Sequence, residues 1–245
     1  MAKILVENRA IVTPGEPIAE LDDSDIEYNP AHIIRVGNKL FPTVVGLAQI
    51  EEEGEDEKKY RVSIVPLEGV YLPKPGDVVI GLVKDIGVTH WEVDINSPYT
   101  AILTVQEVLN RPFNPAADNL RKYFDVGDYV IAKVLAFDRS RDPLLTVKGE
   151  GLGRITEGVI IEVKPSRVPR VIGKKRSMLN MLTSETGCQI NVGANGRIHA
   201  ICDNKAMEDL LVLAIKKIEA EAHTTGLTER IRELIRSEKE RLGVG

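Results

Sequence analysis

The densest cluster of residues able to hold a charged ligand is Gly173-Lys174-Lys175-Arg176, preceded by Arg167 and Arg170. From Arg154 to Arg176 the chain carries seven cationic side chains against two carboxylates. A small residue and three cations ahead of a helix suit phosphate. The side chains attract the anion, and the free N–H groups of the helix start add partial positive charge. Two further basic pairs, Arg121-Lys122 and Arg139-Arg141, stand in polar, loop-like sequence, where they would raise the local concentration of a polyanion. Trp91 is a candidate for stacking on a nucleobase, and the competing reading is packing inside a barrel or an interface. The plainer reading of each basic cluster is a solvated helix start or loop.

The residues needed for other chemistries are absent or scattered. Hydrolytic phosphodiester cleavage needs carboxylates gathered around metal ions. Asp22, Asp23 and Asp25 are close in sequence but have no second carboxylate set to join them. Glu51–Glu57 reads as a solvated hairpin tip. His32, His90, His199 and His223 match no zinc spacing, and there is no Walker loop, nucleophile elbow or His-Glu-x-x-His. No catalytic residue, metal site or cofactor is therefore expected. Cys188 and Cys202, the only cysteines, lie about equally far from the turn Gly193-Ala194-Asn195-Gly196 on neighbouring predicted strands. They are expected to be buried free thiols in a reducing cytoplasm.

The elements that must position these residues fall into successive stretches. Residues 1–65 read as a β-rich domain, with "KLFPTVVGLAQI" and "YRVSIVPL" flanking the charged tip. Residues 66–150 contain a rhyme: "KPGDVVIGLV" and "DVGDYVIAKV" each put a Gly-Asp turn before alternating apolar residues. With "HWEVDI", "YTAILTV" and "PLLTV" they make five short strands, enough for a small closed barrel. Residues 151–223 switch to the order β-α-α-β-β-α. A short helix enters through Ser166. The next carries Met178, Leu179 and Leu182 on one face and ends at Gly187, and the last has a seam of Met207, Leu211, Ala214 and Ile218. Residues 224–245 form a terminal amphipathic helix with Ile231, Leu234, Ile235 and Leu242.

The charge is unevenly spread. Lys and Arg against Asp and Glu number 7 to 13 in residues 1–65, 9 to 12 in residues 66–150, and 16 to 12 in residues 151–245. An acidic front and a basic back predict different partners for the two ends. Aromatic residues make up only 4% of the chain, so broad stacking surfaces are not expected. No apolar run reaches the ~18 residues that a membrane helix needs, and the N-terminus lacks a signal-type apolar segment.

The middle segment, through "PGDVVIGLVKDIG" and "DVGDYVIAKVLAFDRSRDPLLTVKG", resembles the S1 RNA-binding domain. The third resembles a type I KH domain, whose Gly-x-x-Gly loop lets a sugar-phosphate backbone lie against helix N-termini. Here the second glycine is replaced by Arg176. With "TPGEPI" near the start and "GANG" in the KH hairpin, the stretch from Val12 to Ala222 is similar to the S1–KH cap subunits of the archaeal exosome.

That resemblance implies an α+β multidomain chain. It would comprise an N-terminal β docking domain, a five-stranded S1 barrel of the OB type, and a KH domain plus terminal helix. It implies a non-catalytic subunit that binds single-stranded RNA. Such subunits form a trimeric cap, with other copies or a second cap type, on a hexameric ring of RNase PH-like proteins. They guide RNA 3′ end first into the channel. The alternative is a free-standing S1–KH regulator of transcription or translation.

Overall fold

The computed structural model describes residues 3–21, 26–28, 30, 32–53, 59–67, 69–109, 111–114, 118–138, 140–222, 224 and 226–242. Short apolar runs broken by Pro, Gly and Asn build a first compact unit, Met1–Gly69. Its described strands are β1 (Lys3–Ile4), β2 (Ile11–Val12), β3 (Ala19–Glu20), β4 (Ile26–Tyr28), β5 (Ile33–Val36), β6 (Lys39–Pro42), β7 (Gly46–Glu53) and β8 (Lys59–Pro66). They form two four-stranded sheets, ordered β1-β3-β6-β5 and β2-β7-β8-β4, around Val12, Ile18, Leu40, Ala48 and Val62. The β7–β8 hairpin expected from the sequence is present, but "KLFPTVVGLAQI" is split between β6 and β7 in different sheets, and Glu51–Glu53 extend β7 instead of belonging to the tip. Its tip, Gly54 to Lys58, lies outside the described residues, as do Asp22, Asp23 and Asp25.

The second unit, Val70–Gly245, begins with the barrel. Its strands are β9 (Val78–Ile86), β10 (His90–Asp94), β11 (Thr100–Thr104), β12 (Tyr129–Ala136) and β13 (Leu144–Thr146). They are ordered β13-β11-β10-β9-β12, and β12 pairs back with β13 to close the barrel. The two rhyming segments are hydrogen-bonded neighbours: β9 and β12 run antiparallel, with Gly81 opposite Val130. Alternate residues point inward, as a half-buried strand requires. Val79, Val83, Trp91, Val93, Ala101, Leu103, Val130, Ala132 and Val134 are all at most 1% exposed. Between β11 and β12 lie the one-turn helix α1 (Val105–Val108) and a 3-10 turn, Leu120–Lys122. The short β14 (Gly153–Arg154) extends the sheet beside β12.

The chain then forms β15 (Val159–Glu162), α2 (Val168–Ile172), α3 (Ser177–Thr186), β16 (Gln189–Val192), β17 (Arg197–Ile201) and α4 (Lys205–Ala220). This is the expected β-α-α-β-β-α order, on an antiparallel sheet β15-β17-β16. One boundary is corrected. Ser166 lies in a 3-10 turn, Pro165–Arg167, and α2 begins at Val168, where Pro169 fills a first-turn position that needs no N–H partner. Gly187 ends α3 in a left-handed conformation, as expected. Asn204 caps α4 by accepting from the Met207 N–H at 2.9 Å.

The terminal helix α5 (Leu227–Leu242) buries Leu227, Ile231 and Ile235 in the same core as α3 and α4. Arg236 reaches Glu185 of α3 at 2.9 Å. The free-thiol expectation is also corrected. Cys188 and Cys202 form a disulfide with an S–S distance of 1.99 Å. They flank the last registered pair of the β16–β17 hairpin, Gln189 opposite Ile201, which brings their Cα atoms to 4.3 Å. No helix among the described residues is long and apolar enough to cross a membrane.

Candidate nucleic-acid interface

The basic cluster sits where α2 hands over to α3. Gly173 closes α2 at φ 73°, and a Cβ there would lie 2.7 Å from the Met178 nitrogen and 2.9 Å from Ser177 Oγ. No side chain fits, so the first glycine of the loop is fixed by the close approach of the α3 start. Lys175 (φ 52°) and Arg176 (φ 63°) follow, both left-handed. Arg176 therefore keeps the backbone shape that a glycine would take there freely, at a cost of about 1–2 kcal/mol for a residue with a Cβ. Lys174, Lys175 and Arg176 are exposed, as is Arg170, and Arg167 is half-buried. Among the described residues none of these five cations has an ion-pair partner. A strip of uncompensated charge at a helix start can hold phosphates without reading sequence.

The barrel cations are differently placed. Arg121 and Lys122 occupy the 3-10 turn capped by Asn119, whose side chain accepts from the Arg121 N–H. Arg121 is paired with Asp125 at 2.8 Å, with both side chains well exposed. Lys122 is exposed. Arg141 is exposed beside Asp138, whose carboxyl is held below its ordinary value first by hydrogen bonds from Ser140 and then by the Arg141 charge. Arg139 lies outside the described residues.

Trp91 is fully buried; its Nε1–H donates to the Phe124 carbonyl at 2.9 Å, and the two rings meet edge-on at 5.5 Å. Packing in the barrel is thus the reading its surroundings fit, and its ring presents no face to a base. No group of three or more His, Cys, Asp or Glu among the described residues could hold a metal ion.

A second set of residues, read in the sequence only as a hairpin, fixes the barrel to the KH frame. The β16–β17 turn, Gly193-Ala194-Asn195-Gly196, is pressed onto β9. Asn195 is fully buried: its Nδ2 donates to the carbonyls of Ile80 (2.8 Å) and Ile95 (3.0 Å), and its Oδ1 accepts from the Ile80 N–H (3.2 Å). The Ala194 N–H donates to the Val78 carbonyl at 2.8 Å, and Asn96 Nδ2 to the Asn195 carbonyl at 2.9 Å. A Cβ on Gly193 would lie 3.1 Å from the Ile80 nitrogen, so backbone meets backbone here.

Arg197, 5% exposed, bridges Asp94 at 2.8 Å and Glu162 at 3.0 Å, and also donates to the Asp94 carbonyl at 2.6 Å. Burial pushes the Asp94 carboxyl up, but hydrogen bonds from Arg197 and the Asn96 N–H outweigh it and hold the group below its ordinary value. The available signal was an Asn and an Arg inside a hairpin whose other positions read as strand. Alone, they read equally well as a solvated turn.

Comparisons with known proteins identify both modules. Residues 70–136 match a family model described as the S1 domain of RRP4, and residues 158–206 match one described as a KH domain. The exosome complex component Rrp4 of Ignisphaera aggregans is 48% identical over 240 residues, covering 96% of this chain and 93% of the relative. That of Aeropyrum pernix is 50% identical over 229 residues, covering 94% of each. A crystal structure of a putative exosome complex RNA-binding protein superposes with a TM-score of 0.68 at 55% identity, over 70% of this chain and 98% of the other. The likeness to these relatives runs through nearly the whole chain at about half identity, so the chain belongs to the Rrp4 family of exosome complex components.

Proposed function

We propose that this chain is an RNA-binding, non-catalytic component of the exosome, a 3′-to-5′ exoribonuclease complex. It captures single-stranded RNA and guides its 3′ end into the complex, whose cleavage chemistry resides in other subunits. One observation carries the reading: a KH frame presents five cations without an ion-pair partner among the described residues, and it is locked to an S1 barrel with its own basic turn. Gly173, Lys174, Lys175, Arg176, Arg170 and Arg167 hold backbone phosphates. Arg121, Lys122, Arg139 and Arg141 attract the strand toward the pore. Residues 1–65, with 7 basic against 13 acidic side chains, dock on a hexameric RNase PH-like ring. Three cap subunits, all copies of this chain or mixed with a second type, complete the assembly. The setting is the cytoplasm.

The test is size-exclusion chromatography with light scattering, mixing the purified chain with a purified archaeal RNase PH-type ring. Co-elution with a mass gain near three copies per ring is expected. RNA binding by the free chain without any association would favour the free-standing regulator.

A further inference from the structure

The KH turn Gly193–Gly196 covers one row of the barrel's outer face, where Ile80 of β9 stands opposite Ile131 of β12 and both are buried. Two rows farther along the same strands are open. In the first, Val78, Lys133 and Thr146 lie side by side across β9, β12 and β13. In the second, Leu135 lies at the register shift where β12 meets Leu144 of β13. The Gly76 N–H donates to the Val134 carbonyl at 2.8 Å, which sets the turn Lys74–Asp77 alongside. Alternate residues share a face, so Lys133 and Leu135 point away from the core that Ala132 and Val134 fill.

This face is both apolar and cationic. Val78 is 40% exposed, Leu135 53% and Leu144 39%. Lys74, Lys133 and Lys148 are exposed, and among the described residues none of them has an ion-pair partner. Asp77, close to Lys74 in sequence, is already engaged: it accepts from the Tyr71 O–H at 2.8 Å and the Lys74 N–H at 3.2 Å. The Lys148 N–H donates to Thr146 Oγ1 at 3.1 Å, which keeps Lys148 at the edge of the first row. The other side of the barrel has the opposite character, since β10 and β11 carry Glu92 and Asp94 and no Lys or Arg. The open rows are also continuous with the cationic loop, because Val78 and Ile131 line the same cleft as Arg176.

We propose that a single-stranded RNA held at Gly173–Arg176 continues across the outer face of β9, β12 and β13. Lys74, Lys133 and Lys148 hold its phosphates as point charges, and Val78, Leu135 and Leu144 lie against its bases. The proposal rests on the RNA-binding reading above and adds a second contact surface, on strands that none of the cations singled out from the sequence occupies. An acidic protein segment would also match the lysines, but continuity with the cationic loop favours RNA.

The experiment measures fluorescence anisotropy of two labelled homopolymer RNAs on the full chain over a salt series. One RNA, about 4 nucleotides long, fills a KH loop; the other, about 12 long, reaches a barrel face as well. Replacing Lys74, Lys133 and Lys148 together by Gln should lower the salt slope for the longer RNA by about 2, at 0.7 per phosphate contact. Binding of the shorter RNA and the melting temperature should not change. Leu135→Glu, which sets a carboxylate among the lysines at an exposed position, should weaken the longer RNA by about tenfold.

An unchanged slope for the longer RNA, or an equal loss for both lengths, overturns the proposal while leaving the loop contact in place. Failure of the unaltered chain to bind either RNA overturns the RNA-binding reading itself. A lysine variant that keeps full RNA affinity but no longer associates with an RNase PH-type ring, or with its own copies, in light scattering would assign this face to a protein contact instead.

Discussion

Two four-residue turns in the KH frame begin with glycine and have opposite fates. Gly173–Arg176 faces outward, with three cations that no carboxylate among the described residues pairs with. Gly193–Gly196 faces inward, and the Asn195 side chain is spent on backbone groups of the barrel. Both glycines permit close approach, in one case to the next helix and in the other to a neighbouring domain. A turn opened by glycine is therefore a device for proximity, and what it meets decides whether it stays open to solvent or joins two modules.

The largest expected effect is at the buried junction beside that turn. Arg197→Ala leaves Asp94 and Glu162 facing each other across the junction and should cost about 3–5 kcal/mol in denaturant unfolding. Arg197→Met, which keeps the volume, should cost less. A loss under about 1 kcal/mol for Arg197→Ala would mean that the junction does not depend on this pair.

On the exposed turn the effect should be on affinity and not on stability. Replacing Lys174, Lys175 and Arg176 together by Gln should lower the salt slope of RNA binding by about 2, at 0.7 per phosphate contact. Thermal melting should not move. A slope equal to that of the unaltered chain would remove this loop from the interface.

Arg121→Ala with Lys122→Ala should weaken RNA capture by only a few-fold, on the order of 0.5–1 kcal/mol, because Asp125 already half-neutralises the pair. Assembly should be intact. Degradation of a tailed RNA at an unchanged rate by the reconstituted complex would count against their role.

Arg176→Gly should bind RNA nearly as well as the unaltered chain, since it restores the small residue of the usual clamp. It should be stabilised by up to about 1 kcal/mol through relief of the left-handed strain. A folded variant without RNA affinity would refute this.

The smallest effect is acid sensitivity at the junction. The folded Asp94 carboxyl lies below its unfolded value near 3.9, so its contribution is complete above about pH 4 and fades as pH falls through the lower folded value. Asp94→Asn should flatten the acid limb of the stability profile. An unchanged limb would place the sensitivity elsewhere.

The barrel was legible because its signal is local. The Gly-Asp turns at Gly76-Asp77 and Gly127-Asp128 announce β9 and β12, and alternation states which face is buried. The KH order was legible for the same reason, from helical seams and a hairpin turn. The cations of the loop were visible as residues, but their lack of partners was not, because Arg121 looks the same in sequence and is paired. Asn195 and Arg197 could not be placed, since their partners lie about a hundred residues away and a polar turn carries no mark of the surface that will cover it. The cysteines were correctly set across a hairpin, but whether two facing thiols are joined is not written in strand periodicity.

The locked turn also acts as a ruler. With Asn195 and Arg197 holding the KH frame to β9, the cationic loop and the barrel keep one fixed separation. A strand gripped at the loop and led past the barrel must span that gap, so the junction would impose a minimum unpaired tail length. Duplexes with shorter overhangs would then engage one end only and dissociate faster, and the chain would gauge length as well as charge.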